Sequence, residues 1–373
     1  MTKRDAQVII IGAGAIGTAC AYFLSRLGIK SLVLERHYLC AGASGASAAL
    51  ITLGSPHPTS DPLDLLRFES HELIRELGHT FDPPIEMIQG GSLYTITNEK
   101  EYRELRHNFD QSEESSDGFR FMEGEEAHRF EPILGPQVMA AYFNPKDFHV
   151  NPFRLCEGYL NAALHRGCGV EYGITVHEVT TKNGQVDRVV TDQGDYYADW
   201  VVVAGGAHTP QILAKTGIEV PITPARGQVI ITEPCEAITG RVLFLPDHLY
   251  IKQTANGNFY LGSHTEFVGF DSGITLDKIT AYSREFSQAV PLFSKLKAVR
   301  FFTGFRPLSA DERPIIGPLP HCPNLIVASG HGRNGMCYSA STGKAVSELI
   351  SAGNTTLPIN AFGIERFSNG LEV

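Results

Sequence analysis

Val8-Ile9-Ile10-Ile11 is a β-branched apolar run that stops at Gly12, the pattern of a short strand buried on both faces. From Ala15 to Leu27 the composition turns helical and ends at Gly28, a residue suited to the left-handed position after a helix. Ser31 to Glu35 reads as the next strand, so the chain opens with a βαβ unit. Two more apolar runs, Trp200 to Ala204 and Leu325 to Ala328, lead into Gly205-Gly206 and Gly330. Glycine turns at strand ends are where open α/β sheets receive ligands. Gln228 to Thr232 and Phe259 to Ser263 suggest antiparallel strands within 222–270, whereas 61–145 is charged and helical in character. A final helix is expected over Met336–Ile350, and Asp110 to Asp117 as a solvated loop. The simplest arrangement is discontinuous, with one domain from 1–60, 146–221 and 300–373 and a second, built on an antiparallel sheet, from 61–145 and 222–299. The expected class is α/β with an α+β second part.

Composition narrows the picture only in places. With 373 residues, 43% hydrophobic and 19% charged, the chain can bury two cores. A net charge of -10 without a basic run argues against a nucleic-acid surface. The seven cysteines form no CxxC pair, so neither a disulfide framework nor a metal site is expected. Residues 6–25 carry no charge and are about long enough to span a bilayer. The glycine spacing and strand-to-helix switch within them account for that run better. Cleavage there as a signal peptide would destroy the chain's strongest motif, so the protein reads as cytoplasmic.

That motif is Gly12-Ala13-Gly14-Ala15-Ile16-Gly17, placed between strand and helix, the context a Rossmann-like dinucleotide fingerprint needs. Gly12 permits the tight turn, Gly14 lets backbone approach a pyrophosphate, and Gly17 lets helix pack on strand. The helix N-terminus, with Ala15 and Ile16, then faces phosphate charge. Glu35, with Arg36 beside it, closes the second strand, where a carboxylate can accept from ribose hydroxyls. FAD and NAD both use this fingerprint.

Five segments distinguish the two: Gly42-Ala43-Ser44-Gly45-Ala46-Ser47-Ala48-Ala49, Val150 to Leu155, Pro224-Ala225-Arg226-Gly227-Gln228, Gly304-Phe305-Arg306-Pro307, and Gly330-His331-Gly332-Arg333-Asn334-Gly335. Through them the chain resembles the D-amino-acid oxidase, glycine oxidase and sarcosine oxidase family of flavoproteins over nearly its whole length. Within that family it is most similar to the subgroup of hydrogen cyanide synthase catalytic subunits, hydroxyproline dehydrogenase and opine oxidase β subunits. The resemblance implies FAD, with Ser44, Gly45, Ala46, Ser47 and Ala48 along the isoalloxazine, Val176 at the adenine, and Ala204 and Gly205 at a glycine turn. It also implies that 330–335 aim the final helix at the flavin pyrimidine, where the helix dipole and Arg333 would favour negative charge. Arg306 is implied as the grip on a substrate carboxylate, because a guanidinium can hold one bidentately. Tyr250 is implied as its helper, and His264 and Glu266 as further pocket residues.

Departures from the family pattern matter as well. No cysteine stands near Gly304 where related oxidases link their flavin, so noncovalent FAD is expected. By the resemblance at Leu261-Gly262, Tyr260 stands where those oxidases carry an oxygen-activating lysine. The implied function is oxidation of a small amino or imino acid (glycine, a D-amino acid, D-proline, D-hydroxyproline or an opine) by hydride transfer to flavin N5. Electrons would pass to companion subunits of a dye-linked dehydrogenase complex, with a homo-oligomer as the other expected assembly. Alternatives are a stand-alone oxygen-dependent oxidase making hydrogen peroxide, a nicotinamide-dependent dehydrogenase, and a non-catalytic electron-relay subunit.

Overall fold

The computed structural model describes residues 4–110, 118–246, 249–262 and 264–368; from residue 111 on, the loop expected at Asp110 to Asp117 lies outside them. Two large sheets organise the chain. In the first, strand Arg4–Ile11 lies parallel between Ser31–Glu35 and Gly194–Val203, and Gly169–Tyr172 and Cys322–Ser329 extend it on either side, also parallel. Ile315–Leu319 runs antiparallel at one edge. Val8, Ile9 and Ile10 are fully buried because both faces are covered. Val8 and Ile10 pack toward helices Ala15–Arg26 and Ser339–Ala352, Ile9 and Ile11 toward Ile212, Leu213 and Val220. Each such side chain contributes roughly 1.5–3 kcal/mol on leaving water.

The local signals act as expected at the first helix, where Gly28 takes the left-handed conformation (φ +75°) just past Arg26 and Leu27. The final helix differs. It runs Ser339–Ala352 and is preceded by a 3₁₀ turn, Gly332–Asn334, because Gly330 and Gly332 adopt positive φ (+75° and +54°) and postpone regular helix.

The second sheet orders its strands 298–309, 222–234, 258–262, 250–253, 242–244, 92–96, 140–144 and 120–123, antiparallel except where 242–244 meets 92–96. Two differences from the sequence reading arise here. The stretch 61–145, read as helical, holds helices Pro62–Gly78, Glu99–Asp110 and Gly124–Phe130 but also three strands of four or five residues, too short to impose a period on their charged surroundings. The cut expected at 300 falls inside strand Ala298–Ser309, which pairs along Ile222–Pro234. Alternation identifies a strand but not the sheet it joins. Among the described residues, no helix is long and apolar enough to cross a membrane.

Candidate functional site

A cavity of about 700 Å³ runs from the C-terminal ends of the parallel strands to one face of the second sheet. At its first end the glycines act sterically. Gly12 has φ +107°, and a Cβ there would lie 2.6 Å from the Ala204 carbonyl oxygen; a Cβ on Gly17 would lie 1.9 Å from the Gly12 oxygen. Gly12, Gly14, Ala15 and Ile16 line the cavity, while Gly17 packs behind them. The Glu35 carboxylate accepts from Ala13 N at 2.8 Å and His37 N at 2.9 Å, tying the glycine turn to the end of the second strand. The first turn of helix Ala15–Arg26 begins at Gly14, which has no side chain to cap it; Ser44 supplies the cap remotely, its Oγ accepting from Ala15 N at 3.0 Å.

Arg36, Val176, Ala204 and Gly205 line the same end. Arg36 donates toward His208 Nε2 at 3.3 Å, and the His208 ring stacks on Phe270 at 4.4 Å. Burial, then the charge of Arg36, hold His208 below its usual pKa, which keeps its nitrogen an acceptor. Ala46, Ser47 and Ala48 line the middle of the cavity. Gly45 does not. It faces a neighbouring cavity, where a Cβ would meet the Phe153 ring at 2.9 Å. Gly304 permits close approach of the second sheet, since a Cβ on it would lie 2.4 Å from that of Ala46.

The far end is built by cross-strand glycines. Tyr250 pairs with Gly262, and a Cβ on Gly262 would fall within the Tyr250 ring, 1.9 Å from Cζ. Ala225 pairs with Arg306, and a Cβ on Gly227, two residues along, would stand 2.5 Å from the Arg306 guanidinium. Both polar side chains therefore lie across the sheet face and into the cavity, instead of standing off it. Arg306 Nη1 donates to Thr265 Oγ1 at 3.2 Å and the His264 carbonyl at 3.4 Å, and Arg333 Nη2 donates to the same Thr265 oxygen at 2.7 Å. Two guanidinium groups thus converge on one hydroxyl. Burial, then repulsion from Arg306, lower the pKa of Arg333.

Thr265 was missed by sequence reasoning, and two neighbours expected in the pocket belong elsewhere. His264 turns its ring to Tyr282 and Glu285, with Nε2 3.6 Å from the Glu285 carboxylate, and does not line the cavity. Glu266 binds buried Arg226, whose guanidinium also reaches Asp271 and Gly273. Burial works against the charged form of Glu266, but bonds from Gln228 and Arg226 outweigh it and hold its carboxyl low. His331 has its backbone at the cavity and its ring inside the fold, Nε2 3.0 Å from Thr342 Oγ1; burial drives its pKa down to about 3. Gly332, Arg333, Asn334 and Gly335 line the cavity, while Gly330 stays behind, its Cβ position 3.3 Å from Ser309.

A glycine-lined helix terminus with a carboxylate at the next strand, joined through one cavity to a cationic pair drawn from the second sheet and the turn before the final helix, defines a dinucleotide-dependent oxidoreductase. The chain belongs to the FAD dependent oxidoreductase family, whose model matches residues 7–349, and its cofactor is FAD. It is similar to the hydrogen cyanide synthase subunit HcnC of Pseudomonas aeruginosa, 27% identical over 98% of this chain and 97% of the relative. It is also similar to the glycine oxidase of Bacillus subtilis, 25% identical over 98% of each. Among solved structures, glycine oxidase from Geobacillus kaustophilus matches with a TM-score of 0.90 over 98% of this chain and 99% of its own, at 24% identity. L-proline dehydrogenase from P. horikoshii matches with a TM-score of 0.88 over 99% of each chain, at 23% identity. These two structures bear on the fold. The residues present suit FAD, because the closeness of Gly12 to Ala204 and of Gly17 to Gly12 leaves backbone, not side chains, around the pyrophosphate position.

Proposed function

We propose that the enzyme oxidises a small amino or imino acid (glycine, a D-amino acid, D-proline, D-hydroxyproline or an opine) held by its carboxylate. One observation carries this reading: Arg306 and Tyr250 lie flat over Gly227 and Gly262 and face the cavity that the dinucleotide turn also lines. Gly12, Gly14, Ala15 and Ile16 would hold the pyrophosphate, Glu35 the ribose, and Val176 the adenine. Ser44, Ala46, Ser47 and Ala48, with Gly332 to Gly335, would hold the isoalloxazine. When bound, FAD supplies a two-electron acceptor for the substrate's α-hydrogen.

The protein's part is binding and alignment. Arg306 offers two parallel donors to the carboxylate, and Tyr250 a third, which fixes which hydrogen is presented. Thr265 accepts from Arg306 and Arg333 together and so holds both guanidiniums at the same end of the cavity. No side chain is required as base, because the neutral amine already carries the electron pair that drives the oxidation. The enzyme acts in the cytoplasm and passes its electrons to companion subunits, a reading supported by the likeness to a protein named as a subunit; the likeness to glycine oxidase supports the second reading, direct use of oxygen.

The test is anaerobic mixing of holoenzyme with a panel of amino and imino acids while the flavin spectrum is followed. Bleaching by at least one amino acid, at a rate reduced by about 30-fold or more in Arg306→Ala, is expected, since removing one partner of a buried charge pair costs ~2–5 kcal/mol. Absence of bleaching across the panel, or an Arg306→Ala enzyme as fast as its parent, overturns the reading.

A further inference from the structure

Residues 41–47 separate the cofactor cavity from a second one of about 550 Å³, and Ala41, Gly42, Ala46, Ser47 and Thr303 face both. The dinucleotide turn takes no part in this second cavity. Its buried end is polar and incompletely satisfied. Lys252 is 3% exposed, and among the described residues its ammonium makes one hydrogen bond, to the Val150 carbonyl at 3.0 Å. His149, 2% exposed, has an Nε2 without a hydrogen-bond partner among the described residues, and so does the buried Thr254 Oγ1. Buried polar groups left in this condition cost free energy that a ligand can restore.

The other end is open and aromatic. Tyr38 and Phe153 are 63% and 46% exposed there, beside the exposed Arg300. Phe153 is held in place by Gly45, whose missing side chain gives the ring room to lie against the backbone. The volume is that of a site for an organic molecule, well beyond what a simple ion fills. An anion suits this end: among the described residues Lys252 has no carboxylate within ion-pairing distance, and Glu86, the acidic residue lining the cavity, is engaged by Asn151 at 3.0 Å and by Arg154.

We propose that this second cavity is a binding site for a small aromatic anion, its charged group at Lys252, His149 and Thr254 and its ring against Phe153 and Tyr38, one chain segment away from the cofactor. The site is separate from the carboxylate grip at Arg306. Occupancy would complete the hydrogen bonds of the buried end. It would also set a charged aromatic molecule beside residues 46 and 47, the segment proposed to run along the flavin, so binding should perturb the flavin's absorbance.

The experiment uses FAD-loaded Arg306→Ala enzyme, in which the substrate site no longer grips carboxylates, titrated with 2-naphthoate. Saturable change in the flavin difference spectrum, with a rise in melting temperature, is expected. The Arg306→Ala, Lys252→Met double variant should bind at least tenfold more weakly with unchanged FAD content. Acetate, which lacks the ring, and 2-naphthamide, which lacks the charge, should each bind at least tenfold more weakly than naphthoate. If the methionine variant fails to retain FAD, Thr254→Val, which removes one buried donor, is expected to weaken binding several-fold. No saturable change, equal affinity without Lys252 or Thr254, or acetate and naphthamide binding as tightly as naphthoate overturns the proposal. Amino acid bleaching of the parent enzyme is measured separately, so loss of the proposed oxidation and loss of this site are distinguishable.

Discussion

Replacing Gly227 with alanine tests how Arg306 is positioned without touching Arg306. The three atoms nearest an added Cβ all belong to the guanidinium, at 2.5, 2.7 and 2.7 Å. Comfortable carbon contacts begin near 3.5 Å, so the guanidinium must retreat by about 1 Å. Its bond to Thr265, already 3.2 Å, would then pass out of reach. A misplacement of about 1 Å at a substrate-orienting group can cost about 100-fold in rate, equivalent to about 2.7 kcal/mol. The fold should not suffer. Gly227 has no positive φ, and the obstructing atoms are the tip of a flexible side chain. Alanine there should leave the melting temperature unchanged or slightly higher, since it restricts the unfolded chain. The assay is kcat/KM for the best amino acid found in the screen, beside the flavin-to-protein absorbance ratio and thermal melting. A fall of about 100-fold with normal FAD and normal melting is expected. Undiminished kcat/KM would show that Arg306 does not lie where substrate binds, and loss of FAD would show that Gly227 serves the cofactor instead.

Gly17→Ala should yield protein without FAD, because its Cβ would collide with the Gly12 backbone oxygen at 1.9 Å and no side chain can yield; flavin absorbance after purification checks this. Glu35→Ala should weaken FAD retention on dilution by ~1.5–3 kcal/mol, the worth of hydrogen bonds to a charged group, and retention equal to the parent refutes the assignment. Denaturation should release all flavin into the supernatant, and yellow precipitate would reveal a covalent link. Burial holds His149 and His331 at about 3, against an ordinary 6.5. Below pH 6.5 the unfolded chain therefore binds protons that the folded chain refuses, so stability falls with pH through the window from about 6.5 to 3. At pH 5 each histidine should cost about 2 kcal/mol relative to pH 7.5, and urea unfolding at the two pH values should show that difference shrink in His149→Gln.

The cofactor end of the cavity was legible in the sequence because its determinants are local. The turn from Gly12 to Gly17 and the acid at Glu35 lie within one βαβ unit; Gly17 answers a contact inside it and Gly14 one just beyond it at Ser44, and only Gly12 answers a distant strand, at Ala204. The substrate end was legible only in its type of residue. Arg306 and Tyr250 were expected there, but the glycines that lay them flat, Gly227 and Gly262, become their neighbours only through strand pairing between distant segments. Pairing is likewise what joins Lys252 to Tyr260, two residues with no sequence signal in common.

The instructive difference is a single residue. His264 and Glu266 were expected in the pocket, whereas Thr265 between them holds the two arginines. In extended chain alternate residues face opposite ways, so 264 and 266 share one side and 265 takes the other, and a shift of one residue would exchange them. What fixes the choice is Arg226. Its backbone bridges to Glu266, and its buried guanidinium binds the same residue's carboxylate on the side of the strand away from Ala225 and Gly227. Glu266 is thereby held off the cavity, and Thr265 is left facing Arg306 and Arg333. A charge pair buried outside the site, whose partners stand forty residues apart in the chain, thus sets which side chain meets Arg306. No local pattern in 262–268 carries that information, because the register is decided by what Arg226 can reach.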